Sequence, residues 1–583
     1  MNVRLERLAV VVQPEASIDY TVRRMASESH RVAYPGLAVV LDTDGRLQGV
    51  ITDGDVRRAY ATNIDWSRPV SDVMTRRPIT ISDEVPPEQI VPEVYRKVRA
   101  SSHLSADAVR HVLVTDDLGR LVAIQDFMEL LGEMEFRHRS VMIFGLGFVG
   151  LTVGVALANQ GHVVIGVDTD TNLIDRLLRD EPHVYEPGLS EMLRVTRRRG
   201  NFTPTQNIGD RRCAVYIIAV GTSLDQNGQP NLSGVQAVSQ LIAANLRRGD
   251  QVIVRSTVPV GTTRRVILPV LEKGSGLVGG QDFHLTNAPE RTVTGQALGE
   301  LRLLPQIVGG LTPRCTARGA TFWTTLTPSV VQVPSLEAAE LIKLANNAFR
   351  DLSFAFANEL ALMADDYNMN AFEIIAAANQ GYPRNPIPYP SPGVGGSCLT
   401  KDPHLLVASV VAERKHPCLS TVGRRVNEIA ARYPIEVVER FTARFGLSLD
   451  GLRILIIGLA FKGVPETNDV RASVSLEIAG WLRAAGVTVL AWDAVLGAAE
   501  IADLGIAPAT NSRESFTGVD AVLILNNHQD NPSVIRWIEP DDTRTRLIFD
   551  GWAQLDRREI EAIPGLVYAS MGYMTPPIPV TCD

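Results

Sequence analysis

The sequence predicts an α/β protein: two doubly wound parallel-sheet domains joined by a long central helix, preceded by a smaller repeated α/β module. Three observations predict it. Residues 1–138 read as two similar halves. Apolar β-branched runs alternate with helical stretches on both sides of residue 335, the pattern of parallel sheets. Between them SLEAAELIKLANNAFRDLSFAFANELALMAD, from Ser335, keeps helical periodicity without a break. The division expected is 1–138, 139–330, 331–430 and 431–583.

Composition bounds what such a chain does. At 583 residues it is long enough for about three or four domains. With 45% hydrophobic and 21% charged residues it is an ordinary globular protein. A net charge of −8 argues against a nucleic-acid partner, while local sites remain free to hold phosphorylated ligands. Five cysteines, odd in number and widely spread, suggest a reducing, cytoplasmic setting without a disulfide framework. The N-terminus lacks the long apolar core of a signal peptide. The uncharged stretch Val141 to Ala158 is long enough for a membrane span, but Gly145, Gly147, Gly150 and Gly154 make it a poor uniform helix. Neither a membrane span nor a metal site is expected.

In the first module LAVVLDTDGRLQGVITDGDVRRA, Leu37 to Ala59, runs strand, Asp-Gly turn, strand, helix start. HVLVTDDLGRLVAIQDFMELL, His111 to Leu131, repeats that plan. Turn glycines between β-branched runs predict hairpins. DVMTRRPITI, Asp72 to Ile81, reads as a short helix leading into a strand. The region resembles a tandem pair of CBS (Bateman-type) modules. The resemblance implies that Gly49, Thr52 and Asp55 form an element holding the ribose and phosphate of an adenine nucleotide. Gln125 and Met128 replace the threonine and aspartate in the second half, so a second nucleotide is not expected there. The bland reading is a module that only packs or dimerises.

GEMEFRHRS, Gly132 to Ser140, reads as a linker. The run Val141 to Phe144 then reads as a strand, Gly145-x-Gly147-x-x-Gly150 opens a helix, and a second strand ends at Asp168. That order is the Rossmann dinucleotide fingerprint in its proper setting. Gly145, Gly147 and Gly150, with Phe148 and Val149 opening the helix, let the turn close on a pyrophosphate. Asp168 would accept from a ribose 2′-hydroxyl, which favours NAD. Later strands, Ala214 to Val220 and Gln251 to Arg255, lead into hydroxyl-bearing loops with Thr222 and Thr257. Glu290 beside Arg291 reads, alone, as a solvated ion pair.

On the central helix Lys343 and Asn347 are four apart and share a face. Glu340 one turn earlier suggests an ordinary surface Glu–Lys pair, but the neighbours of Lys343 are apolar. After a proline-rich loop, Gly381 to Ser391, comes PGVGGSCLTKD, with Cys398 behind flexible glycines and Lys401-Asp402 directly after. A neighbouring lysine and backbone N–H groups can lower a cysteine's pKa and make it a thiolate nucleophile, while the lone residue by itself reads first as a structural cysteine in a glycine turn.

From Leu452 a second α/β unit begins, with strands expected at Val487 to Trp492, Ala521 to Leu525 and Arg546 to Phe549. Its first turn holds only Gly458, so it is not a second dinucleotide fingerprint. Lys462 and Arg471 near that turn suit a diphosphate.

Seven segments in order, GLGFVGL, EPGL, STVPVGT, NAPER, AELIKLANNA, GVGGSCLTKDP and GLAFKG, make residues 140–583 resemble the UDP-glucose/UDP-N-acetylhexosamine 6-dehydrogenases. The resemblance implies an NAD domain and a UDP-sugar domain joined by a long helix that also forms a homodimer, or part of a higher homo-oligomer. It implies Cys398 as nucleophile, Lys343 and Asn347 as oxyanion stabilisers, and Asp402 working with Lys343 on the activated water. Glu290 becomes the general base for hydrolysis, helped by Thr257. Gly145, Gly147, Phe148, Val149, Gly150, Asp168, Thr222 and Arg471 fall to the cofactor. Arg291, Gly395 and Lys462 fall to the sugar nucleotide, with Arg384 reaching a neighbouring subunit's substrate. The reaction implied is NAD-dependent four-electron oxidation of a UDP-sugar C6 alcohol through a cysteine thioester. Pro289-Glu290-Arg291 resembles the N-acetylhexosamine branch, so UDP-ManNAc or UDP-GlcNAc is expected. GGSC with Lys401-Asp402 resembles the glucose branch, and Thr292 and Thr294 fit neither. The front module would sense adenine nucleotide and adjust the enzyme. The rivals are a two-electron hydroxyacid dehydrogenase of the 6-phosphogluconate type and a non-catalytic nucleotide-binding regulator.

Overall fold

A computed structural model describes residues 5, 7–76, 78–85, 90, 93–94, 96–98, 110–127 and 139–576, with 210, 385, 411–417 and 539–544 excepted. The chain divides into two units, Met1–His138 and Arg139–Asp583.

In the first unit each half builds one three-stranded sheet. Val10–Val12 pairs parallel with Leu37–Leu41, which pairs antiparallel with Leu47–Thr52. Thr80–Ser82, His111–Thr115 and Leu121–Asp126 repeat the arrangement. The repetition reaches the turns. Asp42 Oδ1 accepts from the backbone of Asp44 and Arg46, and Asp116 Oδ1 from Leu118 and Arg120, at 2.8–3.0 Å. Gly45 and Gly119 take φ of 80° and 76°, and both hairpins shift register one pair before the turn. The two turns meet through reciprocal bonds, Leu47 N–H to the Gly119 carbonyl and Leu121 N–H to the Gly45 carbonyl. The helix expected from Asp72 is instead a single 3-10 turn, Val70–Asp72. Thr75 instead exchanges two backbone hydrogen bonds with Val50, at 2.8 and 3.1 Å, and this bridge holds the chain extended there. Met128 and the 132–138 linker lie outside the described residues.

The second unit holds two sheets. The larger has eight strands in the spatial order 330–333, 306–310, 284–287, 251–254, 215–218, 140–144, 163–167 and 202–205. All its pairings are parallel except that of Thr286–Asn287 with Gly309–Gly310. Strands Gln251–Val254 and Val215–Ile218 are buried along their length, as helices on both faces require. The uncharged stretch from Val141 divides into strand Ser140–Phe144 and helix Phe148–Asn159, which is buried nearly all round against the sheet and neighbouring helices. Among the described residues no helix is long and apolar enough to cross a membrane.

The smaller sheet has seven strands, with Arg453–Ile457 inside it, third in order, between Thr488–Trp492 and Ala521–Ile524. Both sheets therefore turn back beside their first strand and open a crevice there, at the carboxyl ends of the strands. Between them runs one helix, Leu336–Asp365, whose first turn is capped by Ser335 accepting from Ala338 N–H at 3.2 Å. Buried Asp351 fixes its register. It accepts from Arg424 at 2.7 Å and Asn427 at 2.9 Å on the neighbouring helix Leu419–Ala430. Asn358, two turns on along the same face, accepts from Ser391 N–H at 2.8 Å, and so anchors the loop that leads to Cys398.

Candidate active site

The first crevice is shaped by glycines. Gly145 sits at φ 90°, and a Cβ there would come within 2.9 Å of the Ala219 carbonyl. At Gly150 a Cβ would collide with the Gly145 carbonyl. A Cβ at Gly147 would meet nothing, so this position faces open space before the N-terminus of Phe148–Asn159. Phe148 and Val149 form that first turn. The cradle thus fits a dinucleotide pyrophosphate. Asp168 directly follows the next strand, Val163–Val167. One oxygen accepts from Leu146 N–H at 2.7 Å and the other from Asp170 N–H at 3.1 Å, so the carboxylate also braces the glycine turn.

At the crevice floor the Thr222 hydroxyl donates to the Thr257 carbonyl at 2.7 Å and accepts from Lys401 Nζ at 3.2 Å. Lys401 turns its ammonium to Asp402, at 2.7 Å, and to the cofactor loop; its hydrogen bonds do not go to the neighbouring sulfur. Asp402 is buried, and its second oxygen accepts from Asn347 Nδ2 at 2.6 Å. One chain of hydrogen bonds so joins the cofactor domain, the cysteine loop and the central helix. Cys398 itself is exposed and free, and its carbonyl accepts from Asp402 N–H at 2.8 Å at the start of helix Asp402–Ala408. A Cβ on Gly395 would come within 2.7 Å of the Ala472 carbonyl, and one on Gly396, at φ 88°, within 2.7 Å of the Phe461 ring. The loop can lie this close only with glycine there. Arg471 is held above its ordinary range, first by its hydrogen bonds to Asp469, at 2.9 and 2.7 Å, and further by the field of Cys398, so its charge acts on the cysteine loop.

Lys343 is 8% exposed on the central helix. Its charge acts on Glu290, which is fully inside. Burial pushes the Glu290 carboxyl up, but Arg255, the Thr292 N–H and Lys343 outweigh it and hold the group below the usual carboxylate range. Its Oε1 accepts from Arg291 and Thr292 N–H at 2.7 Å, and its Oε2 pairs with Arg255. Arg255 is 1% exposed, lies 4.5 Å over the Trp323 ring and donates to Gln306 Oε1 at 2.9 Å. The solvated Glu290–Arg291 pair is therefore not what forms. The buried partner is Arg255, which the sequence reading passed over; an arginine at the end of an apolar strand was its only signal.

On the facing side Lys462 Nζ donates to the Thr294 carbonyl at 2.8 Å. Burial, and then Arg350, push its ammonium down to about 8. Arg291 Nη1 donates to the Pro305 carbonyl at 3.2 Å. Arg384 is exposed, 5.8 Å over the Tyr382 ring. At the first turn of the second sheet a Cβ at Gly458, φ 88°, would collide with Asn526, and Asp493 spends its oxygens on Leu459, Ala460, Val495 and Leu496 N–H. Glu340 does not form a surface pair with Lys343. It is buried and accepts from Gly261 and Thr263 N–H at 2.5 and 2.8 Å.

In the front unit Thr52 and Asp55 form a capping box on helix Asp53–Ala61. The Asp55 carboxylate accepts from Thr52 N–H and Oγ1 at 2.8 Å and from Thr75 at 3.1 Å, and pairs with Arg58. Gly49 packs its bare Cα on Met74 and the Thr75 carbonyl. Among the described residues no cluster of His, Cys, Asp or Glu suits a metal ion.

A dinucleotide crevice beside a helix-borne lysine and asparagine defines an NAD-dependent oxidoreductase, and comparison with known proteins gives its kind. Models of the UDP-glucose/GDP-mannose dehydrogenase family match the NAD-binding domain at 139–327, the central domain at 337–429 and the UDP-binding domain at 455–557. A CBS-domain model matches residues 7–62. The chain is 30% identical over 424 residues to an NDP-N-acetyl-D-galactosaminuronic acid dehydrogenase of Ralstonia solanacearum, covering 72% of this chain and 96% of that one. It is 33% identical over 354 residues to a UDP-N-acetyl-D-mannosamine dehydrogenase of Escherichia coli K12, covering 58% and 81%. The structure of a UDP-D-ManNAc dehydrogenase from Pyrococcus horikoshii superposes with a TM-score of 0.65 at 27% identity, over 74% of this chain and 99% of that one. The chain belongs to the UDP-glucose/GDP-mannose dehydrogenase family, with a CBS domain added in front, and is an NAD-dependent nucleotide-sugar dehydrogenase.

Proposed function

We propose that the chain oxidises the C6 primary alcohol of a UDP-N-acetylhexosamine, UDP-ManNAc or UDP-GlcNAc, to the uronic acid through a thioester on Cys398. The observation that carries this reading is the hydrogen-bonded chain Thr222–Lys401–Asp402–Asn347, which ties the cofactor loop, the cysteine loop and the central helix to one point. When bound, NAD supplies the hydride acceptor for both oxidations. The residues do the rest. Lys343 and Asn347 stabilise negative charge on the C6 oxygen, usually the largest electrostatic contribution to such steps. Cys398 Sγ adds to the C6 aldehyde, and oxidation of the thiohemiacetal leaves a thioester. Glu290, kept ionised by Arg255, takes a proton from the water that attacks it, with Thr257 placing that water. Asp402 holds Asn347 and Lys401 and works with Lys343 on that water. Phe148, Val149, Asp168, Thr222 and Arg471 serve the cofactor, and Arg291, Gly395 and Lys462 the sugar nucleotide. Arg384 reaches a second subunit.

On this reading 139–330 holds the cofactor, 331–430 carries the catalytic groups and a homodimer interface, and 431–583 holds the UDP-sugar, in a cytoplasmic enzyme. Residues 1–138 bind an adenine nucleotide at Thr52 and Asp55 and adjust turnover. Because Asp55 already has several partners, the nucleotide ribose has to displace Thr75 or Arg58.

The test is incubation with NAD and a panel of UDP-sugars, weighing the products and counting NADH. An N-acetylhexosaminuronic acid with two NADH per sugar is expected. UDP-glucuronic acid as the main product would replace the substrate assignment, and one NADH per sugar would rule out the thioester. If AMP, ADP and ATP neither bind 1–138 nor change turnover, the regulatory role falls.

A further inference from the structure

The loop 462–471 carries Lys462 at one end and Arg471 at the other, and its middle is fastened to the cofactor domain. Tyr185 Oη donates to Glu466 Oε2 at 3.0 Å, and Tyr185 N–H to Asn468 Oδ1 at 3.1 Å. The other oxygen of Glu466 lies 3.2 Å from His528 Nε2, on the sugar-nucleotide domain's own side. Gly295, at φ 90°, has no room for a side chain because the Glu466 carbonyl rests on it. The next residue but one, Ala297, begins a helix, Ala297–Leu303, whose approach is held by Glu186 accepting from Gly295 at 2.8 Å and Leu298 at 3.2 Å. Tyr185 and Glu186 are adjacent. The segment that braces the cofactor domain is the one that grips the loop.

We propose that Glu466 is a positioning residue, a clasp that couples cofactor binding to sugar-nucleotide binding by holding Lys462 and Arg471 in register across the two domains. The proposal rests on the reading that those two residues serve the sugar nucleotide and the cofactor. Tyr185 is 38% exposed and the Glu466 side chain 39%, so the bond between them lies at the rim of the contact, where a hydrogen bond adds little to global stability. Its effect is geometric: with both oxygens engaged on opposite domains, the carboxylate fixes the loop's height over the crevice. A ligand filling either domain then finds the loop already placed for the other. By linkage each ligand tightens the other by the same factor.

The test is calorimetric titration of the full chain with NAD, with UDP, and with NAD at saturating UDP, for the unmutated protein, Tyr185→Phe, Glu466→Ala and the double variant. In the unmutated chain UDP tightens NAD at least about fivefold. Tyr185→Phe, which keeps the ring and removes only the hydroxyl, loses most of that coupling. Glu466→Ala loses as much, and the double variant no more than Glu466→Ala alone, because both changes open one clasp. In turnover the loss falls on KM for both substrates and not on kcat. Variants with unchanged coupling and unchanged KM overturn the clasp. An unmutated chain that takes NAD but no UDP overturns the underlying assignment of 431–583 instead, a failure visible before any substitution is made.

Discussion

Asn347 donates to Asp402 at 2.6 Å, and that single bond sets the amide of a central-helix residue against the first turn after the cysteine. Asn347 keeps a second N–H for a developing oxyanion, aimed by the bond its first N–H makes. Asn347→Asp removes the donor and sets a carboxylate against the Asp402 carboxylate. We expect kcat to fall by roughly 10²–10³, the usual loss for one oxyanion donor. Steady-state kinetics with NAD and the sugar nucleotide checks this.

Cys398→Ala leaves the crevice and Lys343 intact but removes the sulfur that the second oxidation needs. Acid formation falls by at least about a thousandfold, some 4 kcal/mol in barrier. Mass spectrometry of the product and the NADH count distinguish this outcome from a thioester-free route, in which acid output survives.

The inner strands around the first turn of each sheet, the N-cap at Ser335 and the hairpin repeat were legible because they rest on local periodicity and turn chemistry, whereas strands such as His284–Asn287 and Gln306–Gly310 carry no such run and were not. Partners separated by long stretches of chain were not. Glu290 pairs with Arg255 and not with Arg291 because strand pairing brings Gln251–Val254 beside His284–Asn287, and both side chains emerge at the same sheet end. Lys401, read as the cation beside Cys398, is drawn to Asp402 and Thr222, since a buried carboxylate outcompetes an exposed sulfur for it. Glu340 shows the same limit: helical spacing offered it Lys343, while the fold gave it two orphan N–H groups of the 261–263 turn. The single glycine of the second first turn did read correctly, and Asn526 supplies the reason by filling the space.

Arg255→Met leaves Glu290 buried without its cation. Such breaks cost about 3–5 kcal/mol. The folded-state pKa of Glu290 is lowered, so its contribution to stability is fully present above the ordinary carboxylate range and is lost progressively as pH falls from that range through the lowered folded value. The deficit of Arg255→Met is therefore largest at neutral pH and shrinks in acid, as denaturant melts at pH 7 and pH 4 will show. Adding Glu290→Leu recovers much of the stability but no acid production.

Phe349, Phe356 and Met363 lie seven residues apart on the central helix and are 73%, 50% and 54% exposed. Leu419, Val422 and Ile429 are exposed on the helix packed beside it. A stripe of this kind is what a homodimer would cover, at about 1.5–3 kcal/mol for each large side chain buried. Phe349→Asp with Phe356→Asp should turn a dimer into monomers by light scattering. A native chain that is monomeric at micromolar concentration removes the proposed interface.

Lys462 gives the pH dependence. Burial lowers its pKa to about 8, so the ligand-free protein loses this charge as pH rises through about 8. A diphosphate needs the charged form, and kcat/KM reports the free enzyme, so kcat/KM for the sugar nucleotide falls above about pH 8 while kcat changes less. For stability the sign is opposite. The folded chain disfavours the protonated lysine that the unfolded chain keeps to about 10.4. The penalty is fully present below about pH 8 and disappears toward pH 10, so this group makes the ligand-free protein more stable with rising pH across that window. Lys462→Arg stays charged throughout and flattens the alkaline limb of the kcat/KM profile. An unchanged limb in that variant would assign the titration to another group.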